Sequence, residues 1–191
     1  TAVKILEAAR AQFRAKGFAA TTTRDIARAA EIATGTLFNY FATKEAIVAS
    51  LMLDSQSRAG ASMPSQAGSL EEALFEHAMD TLRRMKPLRG FLLPVLETAC
   101  SPLVASARGD DWQSLRTRHL DQVCHLARPF VDEARLNSVA LQMYWTLYLG
   151  VLTFWAEDSS PKQEDTLALL DQSLAMFASW LVRRDDSGSS D

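Results

Sequence analysis

Apolar residues recur at steps of three and four along most of the chain, and period-two alternation is hard to find. In the opening segment Val3, Leu6, Ala9 and Phe13 share one stripe, which predicts a helix over 2–16. Gly17 fits the left-handed residue that closes such a helix, with Phe18 folding back on Phe13. Thr22 can cap a second helix, with Asp25 three residues on as the other half of a capping box. Its inward face is Ile26, Ala27 and Ala30. A break at Glu31-Ile32-Ala33 follows, and Thr34 caps a third, short helix, "GTLFNYF". Leu37 and Phe41, four apart, point inward, which leaves Gly35, Thr36, Phe38, Asn39 and Tyr40 toward solvent. Thr43 caps a fourth helix that starts at Lys44 and runs through Ile47 and Leu51.

Further helices are expected over about 70–86, 110–127 and 133–156, with a short one among Pro87, Pro94 and Pro102. Pro161 is placed to open the last helix as its first residue. The pattern therefore predicts an all-α fold of about nine helices. The expected divisions are a head over 1–54, a loop-like segment over 55–69, a helical body over 70–184 and a disordered tail over 185–191.

Composition agrees with a packed helical protein. Of 191 residues, 48% are hydrophobic, enough for a sizeable core. The net charge of −3 points to no partner, but its distribution does. Residues 1–47 hold seven Lys or Arg against four acids, so this part carries +3 and the remainder −6. A basic head on an acidic body favours an anionic partner at the head. The two cysteines, Cys100 and Cys124, lack metal-ligand spacing and suit a reducing, cytoplasmic setting. Residues 139–156 approach membrane-span length, but Gln142, Thr146, Gly150, Thr153 and two tyrosines interrupt them, so a buried helix is expected and no membrane partner.

Residues 21–47, "TTTRDIARAAEIATGTLFNYFATKEAI", thus read as a capped helix, a three-residue turn and a second capped helix with one exposed face. That is the grammar of a helix-turn-helix, whose second helix can enter a major groove. Gly35 and Thr36 are small enough for close contact with base edges. Tyr40 offers a hydroxyl, Lys44 a point charge for a phosphate, and Arg24 a fork for a guanine. Cap-turn-cap patterns also occur in helical domains with no such role, and aromatic stripes are usually core.

At this point the sequence resembles the helix-turn-helix of TetR-family transcriptional regulators, over about residues 1–50 and including "AARAQFRAKGF". The resemblance implies a homodimer with an all-α chain, a DNA-binding head, a linking fourth helix, and a four-helix bundle made by the last two helices and their counterparts. It implies a repressor that leaves its double-stranded DNA operator when a small-molecule effector enters the body. By the family pattern Arg24, Gly35, Thr36, Phe38, Asn39, Tyr40 and Lys44 match positions that meet DNA. Phe38 departs from the commoner tyrosine and has no hydroxyl for a phosphate.

In the body, Leu167, Leu170, Leu174, Phe177 and Leu181 step by 3, 4, 3 and 4, an a/d seam that suits a dimer interface. Met79, Phe91, Trp112, Met143, Tyr144 and Tyr148 are candidates to line an effector pocket. The scarcity of charge in these helices favours an apolar or aromatic effector. His119, Cys124 and His125 lack the spacing of a metal site, and no cofactor is expected. Without a catalytic constellation the chain does not read as an enzyme. The alternative function is a DNA-bound adaptor whose body binds a protein. An arm upstream of Thr1 could add to DNA binding.

Overall fold

The computed structural model describes residues 1–57, 67–100 and 110–183, and every regular element among them is helical. Nine α-helices follow in order: α1 (Ala2–Lys16), α2 (Thr23–Ala29), α3 (Thr34–Tyr40), α4 (Lys44–Ser57), α5 (Leu70–Met85), α6 (Leu93–Cys100), α7 (Asp110–Ala127), α8 (Ser138–Glu157) and α9 (Glu164–Val182). Most of the expected loop over 55–69, and the expected tail, lie outside the described residues; α4 itself takes in 55–57.

The head is built as its pattern implies, with local differences. The buried stripe of α1 is Ile5, Ala9 and Phe13, while Val3 is exposed and Leu6 lies at the edge. Gly17 has φ 83 but ψ 163, so it is not the left-handed helical residue expected. Such a backbone still suits glycine, and it brings the Phe18 ring within 5.2 Å of Phe13. The capping box of α2 is present: Asp25 N–H donates to Thr22 Oγ1 at 3.1 Å, and Thr22 N–H donates to Asp25 Oδ2 at 2.9 Å. Lys16 lies 2.7 Å from the same carboxylate. The Lys16 ammonium and then the Thr22 bonds hold Asp25 well below the usual carboxylate range.

Two expected caps differ. Ala33, not Thr34, is the N-cap of α3, and it makes no side-chain bond. Upstream, Glu31 turns the chain at φ 56, and Ala33 is already in the extended conformation of a cap. Pro161 opens a separate 3-10 turn (Pro161–Gln163), where Lys162 and Gln163 both have positive φ, and α9 begins only at Glu164. Likewise α8 starts at Ser138 rather than 133, because Asp132 caps a short 3-10 turn (Glu133–Arg135) and Asn137 then caps the helix.

One continuous cluster of buried side chains runs from Ile5 in α1 to Leu181 in α9. Head and body meet where Phe13 packs 5.2 Å from Phe91, and where α4 lies along α7. The helix α8 is long and apolar enough to cross a membrane. Here it is a core helix: Tyr144, Trp145, Tyr148, Val151, Leu152 and Trp155 are buried, and it packs on α6, α7 and α9.

Candidate functional site

The head presents α3 on a rigid support. Leu37 is fully buried and Phe41 nearly so, which fixes the helix against α2. Ile26, Ala27 and Ala30 are buried, the alanines letting the neighbouring helix approach closely. This orientation leaves Gly35, Asn39, Phe38 (49% exposed) and Tyr40 (50% exposed) outward, with Thr36 at the rim. Two exposed rings on two turns of helix serve no packing purpose within the protomer. Thr43 Oγ1 accepts from Ala46 N–H at 3.1 Å and so starts α4 beside this face.

Arg24 lies exposed in the first turn of α2. Lys44 behaves differently from a free phosphate ligand. Its ammonium donates to the Phe18 carbonyl at 2.9 Å and sits 4.4 Å over the Phe18 ring. An ammonium has three donors, so this bond ties the charge at the start of α4 to the segment between α1 and α2 and leaves further N–H groups for an anion.

The body holds a polar-aromatic cluster at its centre. The His119 ring, fully buried, stacks on Tyr148 with centroids 4.0 Å apart, and its Nε2 lies 3.3 Å from Tyr144 Oη. The His77 ring is 5.2 Å from His119. Burial pushes both imidazoles toward neutrality and raises the phenols of Tyr144 and Tyr148. Tyr144 and Tyr148, expected at a pocket, are brought together here, and Trp112 is joined to them through Trp145 at 6.0 Å.

The other expected pocket residues lie elsewhere. Met79 lines a separate hollow of about 150 Å³ with Leu82, Arg83, Trp155 and Leu167. Phe91 is engaged with Phe13 at the head–body junction. Met143 is exposed on the outer face of α8, because the helix turns Tyr144 and Tyr148 inward instead. His77 was missed. Its signal was available, since it follows Leu70, Ala73 and Leu74 on the buried face of α5, where a hydrophobe is the default. Among the described residues no group of three or more His, Cys, Asp or Glu is placed to hold a metal ion. Cys124 is half-buried and burial pushes its thiol up; the side chain of Cys100 lies outside the described set.

The stripe expected at a dimer seam faces inward. Leu170, Leu174, Phe177 and Leu181 are buried within the protomer and Leu167 is half-buried, because α9 packs that stripe on α5 and α8. The opposite side of α9 is the open one, with Leu169, Met176 (70% exposed) and Trp180 (42% exposed). Beside it α8 exposes Val139, Met143, Thr146, Gly150 and Phe154, again at steps of three and four.

Residues 5–51 match the model of the tetR family of bacterial regulatory proteins. The whole chain is similar in fold to a TetR transcriptional regulator from Rhodococcus sp. RHA1, with TM-score 0.72, 19% identity, and 92% of this chain and 93% of that one covered. It is also similar to Thermus thermophilus FadR, a TetR-family repressor in complex with lauroyl-CoA (TM-score 0.68, 21% identity, each chain covered in full). Bacillus subtilis FadR in complex with stearoyl-CoA is a third (TM-score 0.60, 19% identity, 94% and 98% covered). No protein of curated function matches the sequence.

Proposed function

We propose that this chain, whose head belongs to the tetR family of bacterial regulatory proteins, is a homodimeric repressor released from its operator by a small, mainly apolar or aromatic molecule. The observation that carries the DNA-binding part is the outward face of α3. Gly35, Thr36, Phe38, Asn39 and Tyr40 are held out by Leu37 and Phe41, with Lys44 and Arg24 flanking them. A helix so presented fits a major groove. The small residues approach base edges, the rings line the sugar-phosphate wall, and the cations meet phosphate or guanine. The open apolar stripes of α8 and α9 support a twofold partner, which would set two α3 helices about 34–36 Å apart, one turn of duplex.

The two FadR proteins hold acyl-CoA ligands. For this chain the cluster of aromatic rings at the centre of the body supports an aromatic effector. Release needs only that the effector bind better to the arrangement in which the two heads miss successive grooves. The body meets the head through α4 on α7 and Phe91 on Phe13, so a shift in the body reaches the head directly.

The test is binding to DNA fragments from the protein's own chromosome, followed by footprinting. A protected site with twofold symmetry is expected. Lys44→Ala should weaken binding alike on every site variant and lower the salt slope by about one. Failure to bind any fragment, or an unchanged slope in the variant, contradicts the reading of α3 or of Lys44 respectively.

A further inference from the structure

Three buried polar atoms at the centre of the body have no hydrogen-bond partner among the described residues: His77 Nε2, His119 Nδ1 and Tyr148 Oη. They come from α5, α7 and α8 and lie in one stack of rings. An unmet buried donor or acceptor costs about 1–3 kcal/mol, and folded proteins rarely leave one so. The fold does not ask for these groups. His77 is half-buried at the edge of the α5 face that carries Leu74 and Ala78, and His119 is fully buried between Leu115 and Val123 on α7, where leucine would pack. Whichever nitrogen of His119 carries the proton, its Nε2 faces Tyr144 Oη and its Nδ1 stays open.

We propose that His77, His119 and Tyr148 form the polar recognition point of the effector, and that the effector is an uncharged planar molecule with a hydroxyl or carbonyl, phenol-like in class. This rests on the effector-released reading above. A hydroxyl both donates and accepts, so it meets an open imidazole nitrogen in either tautomer and the Tyr148 hydroxyl as well. The ring of the ligand joins the stack of His119, Tyr144 and Tyr148. Charge is selected against. Arg84, a cation near His77, is already paired with Asp80, so a buried carboxylate would stand uncompensated.

The test uses the intact protein with phenol, toluene and benzoate, read by calorimetry and by thermal shift. Phenol should bind saturably and at least tenfold more tightly than toluene or benzoate. Tyr148→Phe keeps the ring and removes an unpaired hydroxyl, so it should fold with a Tm no lower than the parent and bind phenol and toluene within about threefold of each other. No saturable phenol binding, equal binding of toluene by the parent, or a retained phenol preference in Tyr148→Phe would each overturn the proposal, the first meaning that solvent alone serves these atoms. Operator binding by the ligand-free protein is read in parallel. If it holds while phenol fails, this assignment falls alone; if it is absent, the regulator reading falls with it.

Discussion

Gly35 shows how a single residue separates folding from function. It lies in α3 with no positive φ, and a Cβ added there would meet no atom within 4 Å. Neither a turn nor packing requires glycine at this place. Glycine inside a helix is destabilising by roughly 0.5–1 kcal/mol relative to alanine, so its presence on the exposed face is a cost to the head. Under the proposed function, close approach of a duplex would account for it, since backbone near base edges leaves no room for a methyl group. Gly35→Ala should therefore raise the urea midpoint slightly and weaken operator binding at least tenfold. A variant that gains stability and keeps full affinity would remove Gly35 from the interface.

At the scale of elements, the join between α8 and α9 is held by side chains far apart in sequence. Arg89 donates from Nε to the Trp155 carbonyl at 2.7 Å and from its other nitrogen to the Asp158 carbonyl, closing the end of α8. The Asp158 carboxylate accepts from Thr166 N–H at 3.0 Å and from Ser160 N–H at 2.8 Å, which ties the turn to the start of α9. The Thr166 and then the Ser160 bonds hold Asp158 well below the usual carboxylate range. Its folded pKa is depressed, so its contribution is present in full above the unfolded value of about 3.9 and is lost as pH falls through the folded value. Asp158→Asn should be less stable than the parent at pH 7, and the gap in urea midpoints should narrow steadily as pH falls below about 4. A gap that stays constant over that range would show the charge to be irrelevant. The same join explains what could be read from sequence. Helix existence followed from periodicity, and the caps at Thr22 and Thr43 from local side chains. The start of α9 differs from expectation because its 3-10 turn goes with bonds such as Asp158 to Thr166, which periodicity does not announce, whereas that of α8 is marked by local caps, Asp132 and Asn137, that a reading of periodicity passes over. A stripe at steps of three and four states that a face is buried, not by which neighbour. The α9 stripe packs largely within the protomer, and His77 and His119 stand on stripes of the same kind, where only their departure from a hydrophobe marks them.

The whole molecule leaves one side unfinished. Val139, Met143 and Phe154 are exposed on α8, and Leu169, Met176 and Trp180 are exposed on α9, which packs beside it. Large contiguous apolar patches on monomers mark interaction sites, and two antiparallel helix pairs joined about a twofold axis would cover all six residues at once. Twofold pairing also supplies affinity. Once one head is bound, the second meets its half-site at an effective concentration of about millimolar, a gain of roughly 10²–10⁴. Trp180→Glu places a charge in that patch while leaving the inward stripe of Leu170, Leu174, Phe177 and Leu181 untouched. Its secondary structure and Tm should stay close to those of the parent. Sedimentation at micromolar concentration should show a single chain, and affinity for the full operator should fall at least 100-fold toward that for a half-site. Leu174→Ala is the contrasting variant: as a buried core change it should cost about 2–5 kcal/mol of stability. If Trp180→Glu instead sediments as a dimer and binds the full operator normally, the pairing surface lies elsewhere and the open stripes of α8 and α9 need another occupant.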